Sequence, residues 1–434
     1  MATKAALKGT LTVPGDKSIS HRALIFSALT KGKSEVHQLS PAEDCQSSLQ
    51  CLHKLGLKFK KIGAESSKSW ELESPGLEGL KEPSETLFAG NSGTTIRLMS
   101  GLLAGRNFPS RFDGDHSLRS RPMARVLDHL KSMGATVSFE ESEGRAPFTI
   151  TGGHLQGKRF DLKVASAQVE TALLLAGLQA DGKTTVKLPT LARDHTVRMF
   201  SHIGVPFAKE PDGSISVEAL SKPVSSFSVQ VPGDISSAAF FMVGAACLPG
   251  SDVLLKNVGV SPGRTLVIEI LRRMGADIRL VDERIECGEE VADIRVIGRE
   301  RLKGTTIVGD EVAQGVDEIP ILALAGALCD GTFVVQGASE LRHKESDRLA
   351  LISKNFRAAG CSIEDAEDGF TIQGKPFLPG GSPWATQLDH RFAMAGQIAS
   401  LVFDAPLKLE ETSSAAISYP NFTDDLNSLV SQRR

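Results

Sequence analysis

The segment Pro14-Gly15-Asp16-Lys17-Ser18-Ile19-Ser20-His21-Arg22 brings one ammonium, two hydroxyls, one imidazole and one guanidinium together behind a Gly-bearing turn. An apolar helical pattern, Ala23 to Leu29, follows it. Ser18 or Ser20 can cap that helix, which would set free backbone N–H groups and the positive end of the helix dipole beside the cations. The chemistry this suits is the holding of a small, multiply charged anion, a phosphate or a carboxylate. On its own the segment also fits a solvated basic helix start.

Related turns recur along the chain. Gly90-Asn91-Ser92-Gly93-Thr94-Thr95-Ile96-Arg97 leads glycines and hydroxyls into a helix, again suited to anion binding by backbone N–H groups. Asp115 to Arg125 carries Arg119, Arg121 and Arg125, with Pro122 favouring a helix start after Arg121. Ser166-Ala167-Gln168 stands before an apolar helix, Thr171–Leu178. Arg342-His343-Lys344-Glu345-Ser346-Asp347-Arg348 and Asp389-His390-Arg391 complete the set. Each alone is a surface charge cluster; at equivalent positions of a repeat they would gather Lys17, Arg22, Arg97, Arg121, Lys344, Arg348 and Arg391 on one face. Such a cluster, uncompensated, implies bound anions. Two acids lie among these cations: Asp317, at the entrance to an apolar helix, and Glu345, flanked by Lys344 and Arg348. Nearby cations and exclusion of water act in opposite directions on a carboxylate, and together they can poise it for proton transfer. The structural alternative for Asp317 is a helix N-cap.

The elements that must position these residues repeat at intervals of very roughly 65–85 residues. An Ala- and Leu-rich helix runs into a β-type segment at Ala23–Leu39, Arg97–Phe112, Ala172–Leu188, Ala238–Leu255, Ile321–Val335 and Phe392–Leu409. Second helices lie between them and end at Gly56, Gly134, Gly275 and Gly360, with a weaker copy at Gly204. Glycine past the last helical turn is the expected C-cap, and apolar alternation after it reads as a strand. The expectation is an α/β chain of six two-helix units. With 434 residues, two lobes of three units each are the economical arrangement. The tetrads Val13-Pro14-Gly15-Asp16 and Val231-Pro232-Gly233-Asp234 mark two crossings, giving lobes 1–15 with 230–434 and 16–229, and an active cleft between them.

Other classes find no support. The formal net charge of -3 gives no global field for nucleic acid or anionic membrane, and 5% aromatic residues leave few stacking platforms. In Gly9–Ser18, five residues rather than four separate Gly9 from Gly15 and Asp16 interrupts the Gly-Lys pair, so it is not a P-loop. No G-x-G-x-x-G follows a strand and no G-x-S-x-G elbow occurs. Six scattered cysteines without metal spacing, and an N-terminus without an apolar h-region, point to a reducing, cytoplasmic setting. The longest apolar run, Ala238–Leu248, falls far short of a membrane span.

In their order from Pro14 to about Phe422, these segments together resemble the 3-phosphoshikimate 1-carboxyvinyltransferase (5-enolpyruvylshikimate-3-phosphate synthase) family. The resemblance implies a two-lobed, inside-out, barrel-like α/β fold of six repeated units. It implies transfer of the carboxyvinyl group of phosphoenolpyruvate to the 5-hydroxyl of shikimate 3-phosphate with release of phosphate, a step towards chorismate and the aromatic amino acids. Neither a metal nor an organic cofactor is implied, and the chain is expected to act as a cytoplasmic monomer. Position by position, Lys17 would touch both substrates, and Ser18 and Arg22 would hold shikimate 3-phosphate. Ser166, Ala167 and Gln168 match the segment gripping its phosphate, with Gln168 also near phosphoenolpyruvate, and Arg193 assists in part of the family. Gly93, Arg121, Arg348 and Arg391 would form the phosphoenolpyruvate pocket, shaped by Asn91 and Thr94. Asp317 would be the base facing the 5-hydroxyl, Lys344 would lie at the junction of the substrates, and Glu345 would exchange a proton with the methylene carbon.

Two positions depart from the common pattern. Ile417 stands where many members carry a pocket Lys, which marks the branch lacking it. Glu170 stands where a basic or neutral residue is typical, and would weaken phosphate affinity. Gly93 leaves room for glyphosate, so sensitivity is expected. The sister enzyme UDP-N-acetylglucosamine carboxyvinyltransferase uses a Lys-Asn pair and a loop Cys, whereas here Ser18 follows Lys17 and no Cys lies between Cys51 and Cys247. A non-catalytic anion-binding protein of the same fold would gain nothing from Asp317 and Glu345.

Overall fold

In three repeats a strand and a long apolar helix lead to a second strand parallel to the first; in two more the parallel partner comes from a distant part of the chain, and in all five a second helix then leads to an antiparallel hairpin. The computed structural model describes residues 6–64, 68–190 and 193–430. Its strands form five four-stranded sheets and one of two strands, each four-stranded sheet with a parallel pair at one side and the hairpin at the other. The sixth copy differs from the expected full repeat. It has only the parallel pair Pro383–Trp384 and Lys408–Leu409, after which the chain turns through Ser413–Ile417 into the helix Phe422–Leu429.

The long helices of the repeats are α1 (Lys17–Phe26), α2 (Gly93–Leu103), α3 (Ala167–Gly177), α4 (Ile235–Cys247) and α5 (Ile319–Ala327). To these we add α6 (Arg348–Ala358), a second helix of its repeat, and α7 (His390–Val402). Every residue of α5 is buried, and in α4 all but Cys247. A helix apolar on every side cannot lie at a surface, so the helices form the interior and the sheets lie outside them. Small residues make this packing possible. A Cβ added at Gly101 of α2 would stand 2.2 Å from the Ala172 carbonyl oxygen of α3, so these two backbones touch. The second helices end as expected at glycines in the left-handed region, Gly134 (φ 121°) and Gly204 (φ 79°) among them, where a side chain would be strained. No helix of the described residues is long and apolar enough to cross a membrane.

The chain divides into the units Gly15–Val231 and Met1–Pro14 with Pro232–Arg434. Strand β1 (Lys8–Leu11) belongs to the second of these, β2 (Lys31–His37) and β3 (Ser228–Gln230) to the first, and β4 (Asp252–Gly259) to the second. β1 pairs in parallel with β4, Lys8 opposite Asp252, and β3 with β2, Ser228 opposite Glu35. The tetrads Val13–Asp16 and Val231–Asp234 therefore lie where the chain leaves one unit and enters the other, and each ends in an aspartate that caps the next helix. The Asp16 carboxylate accepts from the Ile19 amide at 2.9 Å, and that of Asp234 from the Ser236 amide at 2.9 Å. This corrects two expectations. The first helix begins at Lys17 rather than Ala23, and its cap is Asp16, not Ser18 or Ser20. Ser20 lies inside the helix, buried, with its hydroxyl accepting from the Ser40 amide at 3.0 Å.

Candidate active site

Within Gly15–Val231, three helix starts carry the residues expected to bind anions. Ser92 caps α2 by accepting from the Thr95 amide at 3.1 Å, and Ser166 caps α3 by accepting from Val169 at 3.4 Å. Gly93, Thr94, Ala167 and Gln168 are therefore first-turn residues, at the end of each helix where backbone N–H groups have no partner within the helix. Helix α3 starts at Ala167, four residues earlier than its apolar run suggests, because the Ser166 cap draws Ala167 and Gln168 into the first turn.

The side chains form three linked groups. Arg22, 2% exposed, donates from Nε to the Thr196 hydroxyl (2.8 Å), from Nη2 to the Thr171 hydroxyl (3.0 Å) and from Nη1 to the Ser18 carbonyl (3.0 Å). Arg97 donates to Gln168 Oε1 at 2.7 Å while Gln168 Nε2 donates to the Thr94 hydroxyl at 2.9 Å, which fixes the orientation of the amide. Arg121 donates to Asn91 Oδ1 at 2.5 Å and to the Asn91 carbonyl at 3.3 Å, and Asn91 Nδ2 donates in turn to Asp115 at 2.7 Å. Lys17 Nζ is 2.8 Å from Asp44. Arg193 is half-buried just ahead of the helix His195–Ile203 that carries Thr196. His21 is no cation here: burial pushes its imidazole down to about 3, and its Nδ1 shares a 2.8 Å hydrogen bond with the Ser48 hydroxyl.

In the other unit, Arg348 opens α6 and is 1% exposed. Its Nε donates to Asp389 (2.8 Å), Nη1 to Asp317 (3.1 Å) and Nη2 to Glu345 (2.6 Å). Burial works against this charge, but Asp389, Glu345 and Asp317 outweigh it and raise the guanidinium's pKa further, so Arg348 stays charged. Asp389, fully buried, also caps α7 by accepting from the Arg391 amide at 2.9 Å, and takes the Ser346 hydroxyl at 2.9 Å. One aspartate thus sets the start of α7 and anchors Arg348. Arg391 Nη1 reaches the Ser236 carbonyl at 3.5 Å. The Ser236 hydroxyl donates to Glu318 and accepts from Arg264 at 3.1 Å.

Asp317 is not a helix cap. Helix α5 begins after Glu318 without a side-chain cap, and the Asp317 carboxylate turns to Arg348 instead. Lys344 faces Glu340, Nζ to oxygen 3.7 Å, rather than the Arg348 group. Ile417 closes the turn Ser413–Ile417, half-buried. The expectation of an uncompensated cationic cluster also needs correction, since Lys17 is paired with Asp44 and Arg348 with three carboxylates. Sequence reasoning gave no role to the side chains of Asp44, Thr171, Thr196 and Asp389. Only Asp389 had a local signal, an acid one residue before an apolar helix and two before an arginine.

Comparison with known proteins draws on the whole chain. The family model for EPSP synthase (3-phosphoshikimate 1-carboxyvinyltransferase) matches residues 1–426. The 3-phosphoshikimate 1-carboxyvinyltransferase of Bacillus licheniformis is 42% identical over 426 residues, covering 98% of each chain. That of Syntrophomonas wolfei is 44% identical over 428 residues, again covering 98% of each. Among solved structures, the EPSP synthase of Acinetobacter baumannii superposes with a TM-score of 0.87 at 41% identity, covering 98% of this chain and 96% of its own. The enolpyruvyl transferase NikO of Streptomyces tendae shares the fold at 16% identity, with a TM-score of 0.77 over 99% of this chain and 95% of its own. With more than two-fifths of residues identical along nearly the full length of such relatives, and the family model running from residue 1 to 426, the chain belongs to the EPSP synthase (3-phosphoshikimate 1-carboxyvinyltransferase) family.

Proposed function

We propose that the chain carries out the 3-phosphoshikimate 1-carboxyvinyltransferase reaction, with most of the substrate-holding residues in Gly15–Val231, further cations from the other unit, and proton transfer by Asp317 and Glu345 of that other unit. The reaction adds the 5-hydroxyl of shikimate 3-phosphate to C2 of phosphoenolpyruvate while a proton adds to C3. Phosphate then leaves as a proton is lost from C3, giving 5-enolpyruvylshikimate 3-phosphate. A base must take the hydroxyl proton, an acid must serve the methylene carbon, and cations must neutralise the phosphate and carboxylate charges.

Arg22, Ser18 and the first turn of α3, Ser166, Ala167 and Gln168, hold the phosphate of shikimate 3-phosphate, with Arg193 assisting. Helix N–H groups and a buried guanidinium are the natural receptors for such a dianion. Arg121, Gly93, Asn91 and Thr94 take phosphoenolpyruvate with Arg348 and Arg391, and Gln168, held by Arg97 and Thr94, reaches it as well. Lys17 and Lys344 meet both substrates. Asp317 removes the 5-hydroxyl proton and Glu345 exchanges one with C3. The observation that carries this assignment is the pair of bonds from Arg348 to Asp317 and Glu345, which bring two carboxylates to one buried cation. Neither carboxylate caps a helix. The chain acts as a monomer, and in the cytoplasm, a setting supported by six cysteines none of which is in a disulfide.

Asp317→Ala tests the assignment. The variant is expected to bind shikimate 3-phosphate with unchanged affinity in calorimetry and to lose about 10²–10⁴-fold in kcat, measured as phosphate released from phosphoenolpyruvate in the presence of shikimate 3-phosphate. Wild-type turnover would remove Asp317 as the base.

A further inference from the structure

Glu170 is the one acidic residue of α3, and the mechanism above leaves it unused. It is 5% exposed and stands in the first turn of the helix, its amide donating to the Ser166 carbonyl at 3.0 Å. The next residue, Thr171, accepts from Arg22, and both Ser166 and Arg22 belong to the group assigned to the substrate phosphate.

Of the charged groups on the neighbouring elements, Arg22 and Asp194 act on its carboxyl, and the buried His195 opens the helix after Asp194. Helix α1 supplies Arg22, and the residue before His195–Ile203 supplies Asp194, itself paired with Arg198 at 2.7 Å. Helix α2 supplies Arg97, whose Nη1 is on Gln168. The helix Ala124–Met133 carries exposed Arg125, Asp128 and Lys131 paired with each other at 2.8 Å, and His129 with its ring against Phe160. Lys187, on the strand Thr184–Lys187 beneath α3, lies 3.7 Å from Asp212. Burial raises the Glu170 carboxyl to about 7; Arg22 opposes that rise and Asp194 adds to it.

We propose that Glu170 is a positioning residue whose protonation is coupled to substrate binding: its carboxylate is buried in the first turn of the helix assigned to hold the phosphate of shikimate 3-phosphate, one residue before the threonine bonded to Arg22, so the substrate binds more tightly once Glu170 carries a proton. The proton comes from solvent and returns to it when the phosphate group leaves. This rests on the assignment of Arg22 to that phosphate. The sign follows from linkage. A phosphate at Arg22 disfavours the ionised carboxylate, so Glu170 holds its proton to higher pH in the complex than in the free protein. Affinity therefore falls as pH rises through neutrality. A one-unit rise on binding corresponds to about a tenfold difference in affinity between the acid and alkaline plateaus.

Calorimetry of shikimate 3-phosphate binding to the full chain at pH 7, in two buffers of different ionisation enthalpy, counts the protons taken up. The wild type is expected to take up a fraction of a proton that Glu170→Gln does not. Between pH 6 and 8.5 its Kd should weaken about tenfold more than that of the variant. Ionisation of the substrate's own phosphate is common to both proteins and cancels. Glu170→Asp should keep the pH dependence. If Glu170→Gln fails to fold, infrared difference spectra of the wild type on adding shikimate 3-phosphate decide instead, a protonated-carboxyl band supporting the coupling and its absence overturning it. Equal proton uptake and equal pH slopes in wild type and Glu170→Gln overturn the role of Glu170. Unchanged shikimate 3-phosphate affinity in Arg22→Ala would instead overturn the assignment beneath it.

Discussion

The candidate site arginines of the two units sit in different company. In Gly15–Val231, the hydrogen bonds described for Arg22, Arg97 and Arg121 go to hydroxyls, carbonyls and amide oxygens. In the other unit, Arg348 is bonded to three carboxylates. A guanidinium fixed by neutral oxygens keeps its charge for a ligand, and its position costs the ligand no reorganisation. One surrounded by carboxylates is neutralised locally; its effect is to hold those carboxylates in place. The first arrangement suits the receptor for anions proposed above, and the second fixes the carboxylates proposed for proton transfer. The cores differ too. Helices α2 and α3 meet backbone to backbone at Gly101, whereas a Cβ at Gly244 of α4 would meet only side chains, Ile398 at 3.1 Å and Leu7 at 3.2 Å.

Arg348→Ala should show the contrast most strongly. It leaves Asp389 buried without its guanidinium, so the unfolding free energy in denaturant titration should fall by about 3–5 kcal/mol, with turnover reduced by at least the factor expected for Asp317→Ala. Arg22→Ala removes bonds to two hydroxyls and a carbonyl, for a loss of about 1–2 kcal/mol in the same titration, while shikimate 3-phosphate binding falls steeply. Equal losses of stability in the two variants would erase the distinction. Gly101→Ala should cost about 1–3 kcal/mol, because its methyl meets a carbonyl that cannot move aside. Gly244→Ala should lie within about 1 kcal/mol of wild type, since the side chains it meets can shift and alanine favours the helix. The smallest effect on the fold is expected from Gly93→Ala, less than about 0.5 kcal/mol in melting experiments, as befits a site away from strained backbone. Its methyl would press only on the tip of Arg97, 2.7 Å away, and lie 3.6 Å from Arg121. There the readout is function: inhibition by glyphosate should be relieved, and an unchanged inhibition curve would show that this methyl does not reach the inhibitor.

Much of the repeat was legible because its signals are local. Glycines such as Gly134 and Gly204 follow amphipathic helices and need no distant partner to be read as caps. The tetrads at Val13 and Val231 carried their resemblance in the chain itself. Local rules misjudged a residue where two groups competed for one duty. Ser18 and Ser20 are good caps by type, but Asp16 stands three residues before the amide it accepts from and takes the role. Asp317 has the type and position of a cap, yet a guanidinium 31 residues away holds it. Asp44 and Asp389 escaped notice for the same reason: the cations they serve lie 27 and 41 residues distant. The shortened sixth repeat was hidden as well, because its helix and parallel strands resemble the others and only the hairpin is replaced.

Strand β1 has a consequence for the order in which the chain can fold. Leu7 donates its amide to Ser251, 244 residues further on, and β1 finds its parallel partner only in Asp252–Gly259. On a ribosome adding about 5–20 residues per second, the N-terminal strand must wait roughly 12–50 s for that partner, while every strand of Gly15–Val231 emerges in between. A strand made before the whole of Gly15–Val231 is placed after it. Through that interval Leu7, Leu11 and Val13 are apolar groups without a core, next to a strand edge whose guard is Lys8, a charge of the kind that discourages pairing with a neighbouring nascent chain.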